Sequence, residues 1–376
     1  MRLLNVNTFK LEEFVGDQVQ VITYAILSHT WEGKEVTFQD IQQQDAVEKL
    51  EHPPNSAWAK IKNSCAQARK DGFGHIWIDT CCIDKSSSAE LQEAINSMFN
   101  WYLESMVCYA YLSDVPPTPG SDIAVSRWFT RGWTLQELLA PNHITFFDCT
   151  WTPRGQRGDS HLLGKISSKT RINTQVLAER ERLHYHRRNP DIVHRFLRKI
   201  SVAEKMSWAA DRETTRIEDQ AYCLLGLFDI NMPMLYGEGD KAFKRLQHEL
   251  MRATDDCTLL AWGYGQRTRE LRDLEPFHAE VEPPMPIGIL ARAPTDFRHA
   301  GDLVPCRIGP FGRPSFSLSQ RGITMSLPVR DDPNSACCTA SYPCSRPASK
   351  EHHHCRIWGQ PGTNPPDREH LLRFQL

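Results

Sequence analysis

Short apolar runs alternate with segments of helical periodicity along the first 150 residues, and this alternation constrains the fold more than any other feature. The predicted strands lie at residues 21–28, 75–79, 107–112 and 144–148. The first is typical of a strand buried on both faces, because it is a nearly continuous run of apolar and β-branched residues. Strands that alternate with helices predict a parallel sheet with helices on both faces. The sequence therefore predicts an α/β domain over residues 21–150.

Composition divides the rest of the chain into three parts. With 376 residues, the chain is long enough for two domains. Residues 1–20 are short and mixed, which predicts an extended lead-in. Residues 151–262 hold several helical patterns and predict a helical region, whereas residues 263–376 are Pro-rich and predict an irregular, partly β extension. Few large apolar residues lie in 330–376, so we expect that tail to be weakly ordered.

Charge and hydropathy exclude several classes of protein. A formal net charge of −2 argues against a dedicated nucleic-acid binder, so no nucleic-acid partner is expected. No stretch approaches the ~20 apolar residues of a membrane-spanning helix, and the apolar run at the start breaks too early for a signal peptide. We therefore expect a cytoplasmic protein without a membrane span. In that reducing compartment, most of the 12 cysteines should be free thiols.

A polar stretch rich in Arg and His covers residues 152–200, and it admits two interpretations. Acidic residues such as Glu179, Glu181 and Asp191 interleave with the basic ones, and no aromatic stacking pattern accompanies them. A solvated pair of helices is therefore favoured over nucleic-acid contact. The arginines concerned are Arg180, Arg182, Arg187, Arg188, Arg195 and Arg198.

The densest cluster of aromatic and charged residues spans Ser126–Pro141. Good helix formers follow Trp133, and the closing proline ends the run. On that helix Trp133 and Glu137 lie four residues apart, so a flat ring and a carboxylate share one face. The alternative is an exposed Glu137 that pairs with Arg131 or Arg127 while the tryptophans belong to the core.

A ring beside one carboxylate suits cleavage of the bond between ribose and nicotinamide in NAD. The nicotinamide departs neutral, so the reaction needs little acid catalysis. A carboxylate beside the ribose would stabilise oxocarbenium-like charge, as glycosidase carboxylates do, while an aromatic face stacks the nicotinamide. NAD is therefore a candidate substrate, and no separate cofactor or metal is predicted.

Polar and aromatic residues follow the first two predicted strands. Ser28 and Trp31 come at the end of the first, and Asp79 at the end of the second. Open α/β sheets place their sites at such carboxyl ends, so these residues are predicted to line a pocket rim or to close the strand ends by hydrogen bonds. A hydrolase triad with His29 is disfavoured, because no Gly-x-Ser-x-Gly motif exists and adjacent strand side chains point to opposite faces. A nucleophile from Cys81-Cys82 paired with His29 stays open, although burial of the thiols is favoured.

Three further motifs have two interpretations each. Glu90 could be a second active carboxylate, but a capping box opened by Ser87 already explains it. The segment Gly237-Glu-Gly-Asp-Lys241 hints at a phosphate loop without the full Gly-x-x-x-x-Gly-Lys-Ser/Thr pattern. A Cys- and His-rich tail could bind zinc, although its spacings fit no standard site. That tail set comprises Cys337, Cys338, Cys344, His352, His353, His354 and Cys355.

Several of these segments occur in the order typical of one family. They are Tyr24-Ala-Ile-Leu-Ser-His-Thr-Trp31, Ile76-Trp-Ile-Asp-Thr-Cys-Cys-Ile-Asp-Lys85, the helix with Glu90, Ile95 and Met98, and Arg127-Trp-Phe-Thr-Arg-Gly-Trp-Thr-Leu-Gln-Glu-Leu138. Together they resemble the heterokaryon-incompatibility (HET) domain of filamentous fungi. Two later stretches, 207–222 and 235–243, resemble the helical region that commonly follows that domain. The resemblance implies a role in non-self recognition and programmed cell death between incompatible fungal cells.

The HET family is in turn remotely similar to Toll/interleukin-receptor (TIR) domains, some of which cleave NAD. Their catalytic glutamate lies in a Trp-x-x-x-Glu-Leu setting, which Trp133-Thr-Leu-Gln-Glu-Leu138 matches. The resemblance implies a TIR-like, flavodoxin-like sheet over residues 21–150 with Glu137 as the catalytic carboxylate. The chain departs from the TIR setting around the tryptophan, at Gly132 and Thr134. The predicted substrate-binding residues are Trp133, Ser28, Trp31, Asp79 and Arg131.

Two functions therefore stay open. In the first, NAD glycohydrolysis is switched on by self-association. In the second, a non-enzymatic signalling module uses the Trp- and Arg-rich surface around Arg127–Trp133 to bind another copy or an upstream receptor protein, since aromatic residues and arginine favour interface hot spots.

Overall fold

The chain divides into two compact units. The computed structural model describes residues 1–16, 21–43, 56–183, 190–263 and 289–305, and beyond these the backbone of short strands between residues 316 and 374. The first unit, called here the sheet unit, comprises Met1–Arg195, Arg212–Thr214 and Tyr222–Met234. The second, called the C-terminal unit, comprises Phe196–Asp211, Thr215–Ala221 and Leu235–Leu376.

The sheet unit is built on a mixed sheet. Within the described residues this sheet has seven strands in the order β2-β1-β4-β3-β5-β6-β7. The strands β4, β3, β5 and β6 are parallel neighbours, whereas β1, β2 and β7 pair antiparallel at the two edges. The bounds are β1 Arg2–Asn5, β2 Leu11–Glu13, β3 Ala25–His29, β4 His75–Trp77, β5 Val107–Tyr111, β6 Ile144–Phe147 and β7 Pro153–Gln156.

The four central strands lie where the sequence predicts strands, and β3 is buried along its whole length. Because successive strand side chains point to opposite faces, a strand buried throughout is covered on both faces. If the four parallel strands β3, β4, β5 and β6 are counted 1 to 4 along the chain, their order across the sheet is 2-1-3-4. A flavodoxin-like sheet begins with this order. In such a sheet the crevice for a ligand opens at the carboxyl ends of its first and third strands, here β3 and β5.

The sheet differs from the prediction at its edges. It is mixed rather than wholly parallel, and the predicted lead-in over residues 1–20 instead contributes the hairpin β1–β2, which pairs with β4. Leu3 and Leu4 are fully buried there. Strands of three or four residues are too short to show an alternating pattern, which is why the sequence did not reveal them. The first central strand also starts later than predicted, because Val21 is 81% exposed and β3 begins at Ala25.

Helices cover the sheet and continue past it. Ser56 and Ser87 cap the two long helices α2 and α4 by accepting hydrogen bonds from Ala59 N and Glu90 N. The bounds in chain order are α1 Phe38–Ile41, α2 Ala57–Lys70, α3 Asp79–Cys82, α4 Ser88–Glu104, α5 Thr134–Leu139, α6 Ser160–Thr170, α7 Thr174–Arg182, α8 Pro190–Leu197, α9 Val202–Ala209, α10 Asp219–Tyr222, α11 Leu225–Phe228 and α12 Lys241–Ala253. Among the described residues, no helix has the length and apolar character needed to cross a membrane.

The C-terminal unit combines helices with short antiparallel strands. Its helices include α9 and α12, and its described strands form three small sheets of three strands each. The strands are β8 Val304–Pro305, β9 Phe316–Ser319, β10 Gly322–Ser326, β11 Val329–Arg330, β12 Cys338–Ser341, β13 Cys344–Ser345, β14 His352–His353, β15 Arg356–Gly359 and β16 Leu371–Phe374. In the described backbone of 263–376, β10 pairs antiparallel with β9 and β16, and β12 with β15. The zinc prediction for the tail lies outside the described side chains.

Two buried arginines hold the carboxyl end of the short helix α5. Arg157 donates to Leu138 O at 2.7 Å, to Pro141 O at 3.1 Å and to Asn142 O at 3.1 Å, and it pairs with Glu181 at 2.8 Å. These carbonyls include ones that every helix leaves without an intrahelical donor. A cation at a helix carboxyl end also offsets the negative end of the helix dipole.

Arg180 completes this arrangement from helix α7. It donates to Leu139 O at 2.6 Å, to Ala140 O and to the side-chain oxygen of Asn142 at 3.3 Å. Its side chain is fully buried, so the interpretation of residues 152–200 as a solvated helix pair is wrong for this residue. Arg182, two residues later, has a side chain that is 79% exposed and fits that interpretation.

We expect Arg180→Met to destabilise the sheet unit by about 3 kcal/mol or more, because it leaves several buried carbonyl oxygens without a donor. Arg182→Met is the matched control on the same helix and should change stability by less than about 0.5 kcal/mol. Urea unfolding followed by tryptophan fluorescence measures both. Equal unfolding midpoints for the two variants would show that Arg180 does not support α5.

Candidate functional site

Glu137 lies in a buried hydrogen-bonded chain at the carboxyl end of β3. All six residues of α5 are buried, and Glu137 itself is 7% exposed. Its carboxyl oxygen accepts a hydrogen bond from the Ser28 hydroxyl, and Ser28 in turn accepts one from the indole N–H of Trp128 at 2.8 Å. The Tyr102 hydroxyl donates to Leu27 O at 3.0 Å and also lies against the Glu137 carboxyl.

Burial sets the protonation state of Glu137. It raises the pKa of this carboxyl to about 8, against the opposing effects of the Ser28 and Tyr102 hydroxyls and of the Arg212 charge. The negative charge of Asp79 acts in the same direction as burial. With a pKa one unit above neutrality, only about one molecule in ten carries the ionised Glu137 at pH 7.

The exposed ion pair considered for Glu137 does not form. Arg127 pairs instead with Glu32, and its side chain is 50% exposed. Arg131 contributes its backbone to the region around α5, since Arg131 O accepts from Thr134 Oγ1 at 2.9 Å and from Arg212 at 2.8 Å. Glu137 is therefore a buried polar group with partners, not part of a solvated surface.

Trp133 stands directly before α5 with helical dihedral angles, φ −61° and ψ −34°. It therefore keeps the four-residue spacing to Glu137 that the sequence predicts. Trp133 is half-buried, whereas Trp128 is fully buried and is the tryptophan that reaches Ser28. The predicted docking surface around Arg127–Trp133 therefore lacks the Trp128 side chain.

A second cluster surrounds Asp79, two residues past the end of β4. Asp79 accepts from Trp31 Nε1 at 2.9 Å, meets His29 Nε2 at 3.0 Å and pairs with Lys85 at 3.6 Å. The Lys85 ammonium also lies 3.7 Å from the centre of the Trp31 ring, within the range of a cation–π contact. The structure thus brings Trp31 and Asp79 together, as the sequence predicts for the strand ends.

His29 is held on both sides of its ring. Lys60 Nζ lies 3.0 Å from His29 Nδ1 and 2.7 Å from Glu35, while Asp79 faces Nε2. An ammonium donates and cannot accept, so Nδ1 is the acceptor and Nε2 carries the proton given to Asp79. His29 therefore has no ring nitrogen left for a nucleophile.

The two carboxyl groups of this region have opposite protonation states at neutral pH. Burial alone would raise the pKa of Asp79, but the Lys85 charge and the hydrogen bonds from His29 and Trp31 outweigh it and hold this pKa well below its usual range. Asp79 is thus ionised, while Glu137 is mostly protonated. Environments that separate two pKa values in this way are typical of acid and base pairs in active sites, although structural networks produce them too.

The alternative nucleophiles do not fit this geometry. The Ser28 hydroxyl donates to Glu137, and His29 is held by Lys60 and Asp79, so a Ser–His–Asp relay is not assembled. Cys81 and Cys82 are buried, and the hydrogen bond between them together with burial raises the pKa of Cys81 well above its usual value. A raised pKa favours the thiol over the reactive thiolate. The cysteines whose side chains the structure describes, from Cys65 to Cys257, are free, as expected.

The other two motifs have structural explanations. Glu90 accepts from Asp84 N at 2.7 Å and pairs with Arg2, which ties α4 to strand β1. In the loop before α12, Gly237 N and Gly239 N donate to the Glu218 carboxylate at 2.7 and 3.1 Å. Both glycines have positive φ, which turns their N–H groups toward a common anion. The chain's own Glu218 thus occupies the place that a phosphate would take.

The structure also describes a cleft apart from the two clusters. A cleft of about 380 Å³ in the sheet unit is lined by residues of α4, α8 and the segment after α11, including Glu93, His194 and Asp229. No predicted site residue lines it. Within the described residues, no group of three or more His, Cys, Asp or Glu side chains could hold a metal ion.

Sequence reasoning missed five residues of the site: Trp128, Tyr102, Lys60, Lys85 and Arg212. Lys85 stood in a noted motif, but its contact with Trp31 depends on the packing of two loops. Tyr102 and Lys60 occupy positions on α4 and α2 that helical periodicity can assign to the core but not to a partner. Arg212 is far from α5 in the sequence, so no local pattern could have revealed it.

We expect the pH dependence of stability to report on Glu137. Its pKa is raised from 4.5 to about 8 on folding, so its contribution is fully present below about pH 4.5 and is lost as the pH rises through about 8. The parent should therefore lose stability relative to Glu137→Gln across this window, by at most about 1.4 kcal/mol per pH unit. Urea unfolding of both proteins from pH 5 to 9 measures the difference. If the unfolding free energies of the parent and Glu137→Gln change in parallel with pH, Glu137 is not desolvated.

Comparison with known proteins agrees with the resemblance drawn from the motifs. Residues 24–121 match the family model described as Heterokaryon incompatibility protein (HET). The chain is also 42% identical over 247 residues to the vegetative incompatibility protein HET-E-1 of Podospora anserina. That alignment covers 62% of this chain but only 16% of the relative. No solved structure gave a significant match.

The matched region contains Ser28, Trp31 and Asp79, whereas Glu137 and the arginines that hold α5 follow it in the chain. The cluster around Asp79 thus lies in the part of the chain that the family model covers. Residues 24–121 are therefore similar to the HET family, and the Podospora relative and the motifs agree with this match.

Proposed function

We propose that this protein acts in heterokaryon incompatibility, as a cytoplasmic trigger of programmed cell death after non-self recognition. The HET match and the name of the Podospora relative support this role. The chain spans 16% of that relative's length, so the role concerns the shared part alone. As its chemistry we propose NAD glycohydrolysis at Glu137, on a sheet of TIR-like architecture.

The observation that carries the chemistry is the Ser28–Glu137 hydrogen bond at the carboxyl end of β3. It puts the carboxyl group of the Trp-x-x-x-Glu-Leu motif at the switch point of the sheet, where α/β folds bind ligands. Asp79 and Trp31 also lie at the carboxyl ends of the parallel strands, so a carboxylate and an exposed ring are available to a ribose and a nicotinamide.

The buried state of Glu137 fits a protein that is inactive at rest. Stabilising an oxocarbenium-like transition state requires the ionised carboxylate. Burial is the largest cause of the raised pKa, so admitting water and substrate lowers the pKa and ionises the group. Self-association that opens the structure at the carboxyl ends of the parallel strands would therefore switch the activity on.

Nicotinamide release by the full chain tests this proposal. We expect the protein, when clustered through a fused inducible dimerisation domain, to release nicotinamide from NAD, and Glu137→Gln to reduce the rate by at least about 100-fold. Glu93→Gln, at an exposed position on α4, is the matched carboxylate control and should keep the parent rate. If parent and Glu137→Gln release nicotinamide equally, Glu137 is not the catalytic group.

A second candidate function is a non-enzymatic docking module, and the exposure of Trp31 favours it. Trp31 is 54% exposed at the rim of the cluster around Asp79, with Lys85 against its ring. Large exposed aromatic side chains beside basic groups are common at interface hot spots. A second copy of the chain or an upstream receptor protein would bind there.

Killing assays in fungal cells separate the two functions. In the docking case, Trp31→Ala abolishes both self-association and cell death, whereas Glu137→Gln leaves both at the parent level. In the enzymatic case, Glu137→Gln abolishes death while self-association, measured by size-exclusion chromatography with light scattering, stays intact. Death that persists in both variants would contradict both functions.

A further inference from the structure

A three-residue segment from much later in the chain packs against the residues that lead into α5. This segment, Arg212–Thr214, is called here the strap, and it belongs to the sheet unit although the residues on either side of it belong to the C-terminal unit. Glu213 N donates to Thr130 O at 2.6 Å, and Gly132 N donates to Glu213 O at 2.9 Å. Arg131 and Glu213 thereby form a parallel β-bridge.

Gly132 is required by the close approach of the strap. A Cβ atom at this position would lie 2.5 Å from Thr214 Cγ2 and 3.2 Å from Cys223 Sγ. The first distance is far inside van der Waals contact, so any larger residue would push the strap away. The absence of a side chain at Gly132 therefore has a structural reason.

Thr134 meets the strap on the other side of Trp133. Its hydroxyl has one proton to donate and lies within hydrogen-bonding distance of both Trp128 O and Arg131 O, and it accepts from Arg212 Nη1 at 3.0 Å. The two positions at which the sequence departs from the TIR setting, Gly132 and Thr134, are thus both contacts of the strap. These contacts with the strap do not depend on the charge of Arg212.

Arg212 links the strap to the site electrostatically. Its guanidinium donates to Arg131 O at 2.8 Å as well as to Thr134. The groups that act on the Glu137 carboxyl are the hydroxyls of Ser28 and Tyr102 and the charges of Asp79 and Arg212. Arg212 is the cation of this set, and it comes from outside both the parallel strands and α5.

We propose that Arg212 is a positioning residue for Glu137, acting through the strap. Its hydrogen bonds fix the amino end of α5, while Arg157 and Arg180 fix the carboxyl end, and its charge favours the ionised form of the Glu137 carboxyl. The inference rests on the proposed function only in treating Glu137 as the reacting group. It assigns to residues 212–214 a role in the ionisation of a carboxyl group carried by α5.

The titration of Glu137 tests this directly, whether or not the protein cleaves NAD. In full-length protein labelled with ¹³C at the glutamate carboxyl carbons, the Glu137 signal is identified by its loss in Glu137→Gln. We expect Arg212→Met to raise the titration midpoint of Glu137 by about one pH unit, because an attractive charge is lost. Arg212→Lys keeps the charge, so its midpoint should lie between those of the parent and Arg212→Met. Arg216→Met, at an exposed arginine two residues past the strap, should leave the midpoint unchanged.

Thr134→Val is the second variant, because it removes the side-chain acceptor of Arg212 without touching either charge. It should move the midpoint in the same direction by a smaller amount, and it keeps the test decisive if Arg212→Met fails to fold. An unchanged midpoint in folded Arg212→Met overturns the inference; if Arg212→Met does not fold, an unchanged midpoint in folded Thr134→Val overturns it.

Nicotinamide release separates this inference from the proposed function. If the midpoint moves as expected while the clustered parent releases no nicotinamide, Arg212 positions Glu137 but the enzymatic proposal fails. If the parent releases nicotinamide and Arg212→Met matches its rate with an unchanged midpoint, the enzymatic proposal stands and the role of Arg212 is rejected.

Discussion

The burial of a carboxyl group on a six-residue helix is the constraint on which the rest of the site depends. An isolated helix of this length is unstable in water, because the nucleation of a helix costs more than a few hydrogen bonds return. In this protein, α5 forms because Arg157 and Arg180 bind the carbonyl groups at its carboxyl end and because its apolar residues are completely buried. The strap binds the residues that lead into its amino end.

This arrangement explains how a largely neutral Glu137 is tolerated in the core. A buried polar group is costly unless it has hydrogen-bond partners, and Ser28 supplies one from the end of β3. Trp128 in turn donates to Ser28, so the hydroxyl is oriented with its hydrogen toward Glu137. At the neighbouring strand end, Lys85, His29 and Trp31 stabilise the charge of Asp79. The two carboxyl groups thus differ in ionisation because burial dominates at Glu137, whereas the Lys85 charge and N–H donors outweigh burial at Asp79.

Sequence reasoning located the central strands and the helix α4 because their patterns are local. A continuous apolar run identifies β3, and Ser87 before a periodic segment identifies the start of α4. It missed the outer strands β1, β2 and β7, which are short and pair antiparallel. It also misplaced Arg180, because an arginine among alternating charges is typical of a solvated helix and nothing local shows that it reaches the end of α5.

The sequence by itself determined the parallel core of the sheet, the resemblance to the HET family and the residues that stand at the strand ends, since each follows from periodicity or from an ordered motif. Only the tertiary structure decided which tryptophan reaches Ser28, that Glu137 is buried rather than paired on the surface, and that arginines 157, 180 and 212 hold its helix. The physical reason is that hydrogen bonds and charge effects depend on distance in space. Residues separated by tens of positions become neighbours only when the strands and helices pack.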